Sequence, residues 1–239
     1  MWSICQKGLR QFFSSLTGYI ALVVFLLLNG LFLFVFPESS IFDFGYATLD
    51  KFFEIAPWIL LLLIPAITMR SFADEFRGGT YEILQTRPLT RWQLIGGKYI
   101  ASLIIVAIAI LPTLIYVYTI RELSTGGIDG GGIAGSYIGL FLLGAVFTAI
   151  GICCSSLTGN AVVAFLLSAF ACFLMYSAFR AISGMEVFQE GAGYYIDLFG
   201  IDAHYKSISR GVVDSRDLVY FASVIFFFLF LTARNLVKR

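Results

Sequence analysis

The sequence predicts an all-α polytopic membrane protein with six transmembrane helices, an N-terminal amphipathic helix and one short polar helix between the second and third spans. Three observations carry that expectation. The chain is 59% hydrophobic and only 13% charged, against about 45–50% apolar and about 25% charged for a soluble domain. Its apolar residues come in long uncharged runs, which a globular core does not need. No polar block is long enough to bury a core of its own, so residues 1–239 are expected to form a single transmembrane domain.

Residues 1–17 begin the chain as an interfacial helix. Trp2, Cys5, Leu9, Phe12, Phe13 and Leu16 fall on one helical face, and Ser3, Gln6, Lys7, Arg10, Gln11 and Ser14 on the other. That pattern suits a helix lying in the bilayer surface. A cleavable leader is not expected, because the apolar run starts too far in and no small-residue cleavage site follows it. The first span covers about 19–36, with no charge between Arg10 and Glu38. The second covers about 48–70, with Phe52 and Phe53 expected to face lipid and Pro57 and Pro65 expected to bend it. Prolines are tolerated in a span when neighbouring helices satisfy the carbonyls they free.

The longest charge-dense segment on the side expected to be cytoplasmic follows, from Arg70 to Gln93. From Asp74 to Gln85 it can form a short helix. Phe76, Tyr81, Ile83 and Leu84 would supply apolar contacts, and Asp74, Glu75, Arg77 and Glu82 charge. Gly78 and Gly79 weaken an isolated helix by about 1 kcal/mol each, so a partner or the membrane surface is expected to complete it. Pro88 ends the segment, and Thr90 with Gln93 makes a capping box that starts the third span, about 91–119. Arg91 and Trp92 are placed as interfacial anchors.

Residues 120–135 are Gly-rich and read as a flexible turn; they lack the order of a phosphate-binding loop. No charge occurs between Asp129 and Arg180, a run long enough for two spans, about 136–156 and 160–179. Gly159 and Asn160 mark the turn between them. Gly135 and Gly139, then Gly151, Ser155 and Gly159, are small residues four apart, the spacing that lets helix backbones approach closely, within the bundle or at a dimer seam. After a polar stretch from 180, the sixth span covers about 215–235, with Asp214 as its N-cap and Asp217 in its first turn.

Charge sets the orientation. With the N-terminus inside, Lys7, Arg10, Arg70, Arg77, Arg87, Arg91, Lys98, Arg234, Lys238 and Arg239 face the cytoplasm, ten basic residues against six outside. The positive-inside rule then puts both termini and the 70–98 stretch in the cytoplasm. A multi-pass protein of the bacterial inner membrane, in contact with lipid and not with nucleic acid, is expected.

Several chemistries lack their residues. An ion-coupled transporter needs ionisable side chains within its spans, and here Asn29 is the one strongly polar side chain deep in a span. Gly96-Gly97-Lys98 only weakly echoes a nucleotide-binding loop, and no HExxH or GxSxG occurs. Cys5, Cys153, Cys154 and Cys172 form no CxxC, and His204 has no Cys or His neighbour, so packing cysteines and no metal site are expected. The chain itself is not expected to be an enzyme.

The central stretch resembles the first cytoplasmic loop of type-2 ABC transporter permeases: an acidic pair (Asp74, Glu75), a basic residue (Arg77), then Gly79-Thr80, Glu82 and Leu84, then Pro88-Leu89-Thr90. The six-span layout behind an amphipathic helix is similar to that family over nearly the whole chain. A second run, Arg210-Gly211-Val212-Val213-Asp214 followed by Arg216-Asp217 and Tyr220-Phe221, is similar to the gliding-motility-associated (GldF-like) permeases. A large external domain found in the broader family is absent.

The resemblance implies a permease of an ATP-driven exporter, with the 74–85 segment as its coupling helix and Asp74, Glu75, Phe76, Arg77, Gly79, Thr80, Tyr81, Glu82, Leu84 and Pro88 as the coupling residues. It implies separate ABC ATPase subunits that bind ATP and magnesium. It also implies a second permease half, either an identical copy or an auxiliary membrane protein with a periplasmic part. The alternative is a non-transporting scaffold or assembly factor that docks a cytoplasmic ATPase; the charge-free spans suit both.

Overall fold

The computed structural model describes residues 1–36, 48–85, 90–124, 129–185, 192–211 and 214–237. Among these residues the chain is helical, without strands, and six helical stretches are long and apolar enough to cross a membrane: Leu16–Phe34, Asp50–Arg77, Arg91–Glu122, Gly130–Ser155, Ala161–Ser183 and Ser215–Val237. The protein is an all-α polytopic membrane protein.

Helix α1 (Trp2–Phe13) precedes the first span, α2 (Leu16–Phe34). Ser15 is extended (φ −98°, ψ 127°) and breaks the two apart. Next come α3 (Asp50–Thr68), α4 (Arg70–Arg77), α5 (Thr80–Gln85) and α6 (Arg91–Ile110). A 3-10 turn at Leu111–Thr113, set by Pro112, joins α6 to α7 (Leu114–Leu123). The central helix is α8 (Gly130–Ser155), most of it buried, touching α3, α6, α9, α12 and α13. Helix α9 (Ala161–Phe173) runs through a π-helical turn, Leu174–Ala178, into α10 (Phe179–Ser183). The short helices α11 (Ala192–Asp197) and α12 (Ile201–Ser209) lead to α13 (Ser215–Val237). Alternation of the spans collects α1, α4, α5, the α8–α9 turn and the end of α13 at one end, here the proximal end. The end of α7 with α11 and α12 forms the distal end.

Two expectations are corrected. Phe52 and Phe53 do not face lipid; they are 2% and 6% exposed and pack against Tyr116 and Tyr137. The cause lies one turn on. Pro57 has no N–H, so the Phe53 carbonyl loses its intrahelical donor, and the Tyr205 hydroxyl of α12 donates to it at 2.7 Å. Burial pushes the Tyr205 phenol well above its ordinary value, which keeps the proton on this donor. Tyr205→Phe should therefore lower stability by about 1–3 kcal/mol, the cost of a buried acceptor left unmet. Thermal unfolding of the purified chain measures this, and an unchanged midpoint would remove Tyr205 from that role.

The Gly-rich stretch 120–135 is mostly not a turn. Helix α7 runs to Leu123 and α8 starts at Gly130, capped by Asp129, whose Oδ1 accepts from the Gly131 and Gly132 amides at 3.1 Å each. Glycine is a poor helix former, but here closeness decides. A Cβ on Gly135 would sit 2.9 Å from the Ile208 carbonyl oxygen and 3.0 Å from Gly211 Cα, and one on Gly139 3.3 Å from Ile208. Only a bare backbone lets α12 settle on α8.

The distal end holds polar pairs, two of which join separate helices. His204 Nδ1 lies 2.6 Å from Asp217 Oδ1, its Nε2 2.9 Å from the Leu198 carbonyl, and its ring stacks on Tyr220 at 3.9 Å. The buried Asp202 carboxylate holds Arg180 at 3.1 Å and Lys206 at 2.7 Å. Asp214 Oδ1 accepts from the Arg216 amide at 3.0 Å, as a cap of α13 does, and that bond holds its carboxyl below the usual range. Within the spans, Asn29 turns back on its own helix, donating to the Phe25 carbonyl at 2.7 Å.

Candidate docking site at the proximal end

The element from Arg70 to Gln85 is built on α3. Met69, the only residue between α3 and α4, keeps helical angles (φ −53°, ψ −33°). The first amides of α4 need acceptors that its own turn cannot supply. Ser155, at the end of α8, supplies them: its hydroxyl oxygen accepts from Phe72 N at 3.0 Å and Ala73 N at 3.2 Å, and it donates to the Met69 carbonyl at 2.9 Å. Four residues earlier on α8, Gly151 gives Thr68 room; a Cβ there would lie 2.9 Å from Thr68 Cβ and 3.1 Å from Ser168 Oγ. At the next turn, Gly159 lies beside Phe76 and Arg77, but a Cβ there would make ordinary contacts of 3.7 and 3.9 Å.

The single helix expected over Asp74–Gln85 is two helices. It breaks at Gly78 and Gly79. Gly78 N donates to the Asp74 carbonyl at 2.9 Å and closes α4, and Gly79 takes φ +65°, a backbone state that costs other residues about 1–2 kcal/mol. The chain turns there and α5 begins at Thr80, its hydroxyl pointing back to the Glu75 carbonyl at 3.5 Å.

The side chains divide into holding groups and exposed groups. Phe72 is fully buried, Phe76 stacks on it at 6.0 Å, and Tyr81 meets Phe76 edge-on at 5.1 Å. The Tyr81 hydroxyl donates to the Leu236 carbonyl in the last turn of α13. Phe76 and Tyr81 are thus committed to the chain's own packing and are not free apolar contacts. Glu75 is also committed. Its carboxylate, 12% exposed, meets Lys98 of α6 at 2.7 Å and Lys7 of α1 at 3.4 Å. Lys98 donates further to the Ser71 carbonyl, and its ammonium stands 4.4 Å above the Phe72 ring. Asp74 is half-buried. Arg77, Gly78, Gly79, Thr80 and Glu82 are exposed and form the tip of the element. The side chains of Ile83 and Leu84, and Pro88 altogether, lie outside the described residues.

Helix α1 braces the other flank. It lies across α6, where a Cβ on Gly97 would be 2.9 Å from Ile4 Cβ and one on Gly8 3.0 Å from Ala101 Cβ. Thr90 caps α6 through the reciprocal bonds of the expected capping box, Gln93 N to Thr90 Oγ1 at 3.3 Å and Thr90 N to Gln93 Oε1 at 3.1 Å.

Lys7, Ser71 and Lys98 belong to this site and were not singled out by sequence. Lys98 had one usable signal: it is a lone charge two helical turns into an otherwise apolar span, where a charge needs a partner. Gly135 and Gly139 face α12, Gly151 and Ser155 face α3 and α4, and Gly159 faces the end of α4, all within one chain.

The arrangement is a short exposed tip on a rigid mount tied to α1, α3, α6, α8 and α13. The tip offers a guanidinium (Arg77), a hydroxyl (Thr80) and a carboxylate (Glu82) outward, groups that can pair with a partner surface. Residues 2–197 match the family model described as ABC-2 family transporter protein. No curated protein matches the chain.

Proposed function

This chain belongs to the ABC-2 family of transporter proteins, and from that premise we propose that it carries ATP-driven motion into its spans through the α4–α5 element. As a member it is a membrane-spanning permease component of an ABC transporter. In our reading the tip from Arg77 to Glu82 seats on a separate ABC ATPase, which binds ATP and magnesium. The proximal end, with both termini, faces the cytoplasm, and the transporter works as an exporter with a second permease half. The carrying observation is the mount. One residue separates α4 from α3, and Ser155 bonds the joint to α8. A displacement at the tip therefore moves two spans together instead of bending a loop.

Arg77 and Glu82 are the charged groups at the tip that this structure leaves exposed. The double reversal Arg77→Glu with Glu82→Arg should lower ATPase co-purification about fivefold or more, with unfolding of the permease unchanged, since each reversed exposed pair is worth up to about 1 kcal/mol. Undiminished co-purification and ATP hydrolysis in that variant would reject the tip as the docking surface.

A gliding-motility role is part of the same proposal. It is supported by the similarity of the Arg210–Phe221 run, which lies beyond the residues matched by the family model. Deletion of the gene in its host should abolish surface spreading, and normal spreading would reject the role while leaving the permease reading intact.

A further inference from the structure

The elbow between α1 and α2 encloses a cavity of about 270 Å³ whose far walls are α3, α4 and α6. Its ionisable lining residues are Arg70 and Lys98, both basic, with no carboxylate. The Arg70 guanidinium has no carboxylate partner among the described residues. Lys98 is ion-paired with Glu75 and donates to the Ser71 carbonyl, and it also borders the cavity. Ser102 adds an independent signal. It is 5% exposed, lines the cavity, and its hydroxyl makes no hydrogen bond among the described residues. The hydroxyl borders the cavity, where a ligand atom can pair with it.

The cavity also has a direction. Hydroxyls of Ser15 and Thr17 stand at the elbow, at the level where α1 meets the first span. Deeper in, the wall is small and apolar, made of alanine and isoleucine residues of α2, α3 and α6, with Ile105 one turn beyond Ser102. A ligand matching these walls carries an anionic head with hydrogen-bond acceptors and an apolar tail. The elbow of an interfacial helix on its first span is where one lipid leaflet meets the protein.

We propose that this cavity binds an anionic phospholipid from the leaflet in which α1 lies, with its phosphate against Arg70 and beside the Lys98 ammonium, an oxygen at Ser102, and an acyl chain along α6. Arg70 and Ser71 open α4, and Lys98 also holds Glu75, so the occupied site stiffens the mount of the docking tip. That consequence rests on the functional reading given above; the binding does not.

Native mass spectrometry of the full-length chain in detergent tests it, with phosphatidylglycerol, phosphatidylcholine and inorganic phosphate as probes. The wild type should retain phosphatidylglycerol about fivefold over phosphatidylcholine, the worth of one basic residue near an anionic headgroup. Arg70→Gln should remove that preference and Arg70→Lys restore it. Arg121→Gln, at the distal end, should leave it unchanged. Ser102→Ala should weaken phosphatidylglycerol retention without unfolding the chain. Inorganic phosphate should not compete, because it lacks the tail. Equal retention of both lipids, an unaltered preference in Arg70→Gln, or an equal loss in Arg121→Gln overturns the proposal. Effective competition by phosphate overturns it in favour of a free-anion site. If the lipid preference is lost in Arg70→Gln while stimulated ATP hydrolysis is unchanged, the site stands and its link to coupling fails.

Discussion

Glu75→Ala is expected to destabilise the protein by about 3–5 kcal/mol, the usual cost of removing one partner from a buried ion pair. Lys98 is 10% exposed in its side chain, and Glu75 is its only carboxylate within 4 Å among the described residues. Without Glu75 its ammonium keeps only the Ser71 carbonyl and the Phe72 ring face. A double substitution separates the pair from the packing. Glu75→Gln with Lys98→Met removes both charges and should recover most of the loss, since a buried pair replaced by neutral groups of similar volume is close to neutral. Lys7→Ala should cost less than about 1 kcal/mol, because Lys7 is 58% exposed and 3.4 Å away. Thermal unfolding of the four proteins in one detergent decides it. A Glu75→Ala protein as stable as the wild type would mean that Lys98 finds water or another acceptor. This bears on any test of docking: reversing Glu75 unfastens the mount, so a lost partner would say nothing about the tip. Arg77 and Glu82 are the cleaner positions.

The second large effect is at Gly151. Gly151→Val should destabilise by about 3 kcal/mol or more, at the upper end of overpacking in a closed core. The first carbon alone would stand 2.9 Å from Thr68 Cβ, and neither neighbour can withdraw easily. Thr68 is fully buried and bonded to its own helix at 2.8 Å, and Ser168 is fully buried on α9. The strain falls one turn from Ser155, so the bonds from Ser155 to Met69, Phe72 and Ala73 should loosen as well. Gly159→Ala is the matched control, with contacts of 3.7 Å and beyond, and it should change stability by less than about 0.5 kcal/mol. Proteolysis of the α4–α5 element alongside thermal unfolding would report both effects. Equal behaviour of the two variants would mean that α8 can shift away from α3.

Much of this was legible in the sequence because the bilayer imposes a simple rule on it. A span must be long, apolar and uncharged, so the six runs, the break after α1 and the Thr90 capping box are readable from residue order. Small residues four apart also signalled close approach. Their partners were not readable: on α8 the same spacing serves α12 at Gly135 and α3 at Gly151, while Gly159, in the turn after α8, makes no close approach at all.

What went unread follows one cause. Phe52 and Phe53 look lipid-facing in a list of apolar residues, and only the tyrosines of other helices make them core. Glu75 looks like a free docking charge beside Asp74 until Lys7 and Lys98, 68 and 23 positions away, meet it. His204 looks solitary until α13 brings Asp217 to it. The sequence by itself determined an all-helical, six-span chain with a single charged element between its second and third spans, because hydropathy and charge act residue by residue. Only the tertiary structure decided which groups of that element hold it and which are offered outward, because a buried charge or an unmet carbonyl is settled by whatever helix lies beside it, and neighbours in space are seldom neighbours in sequence.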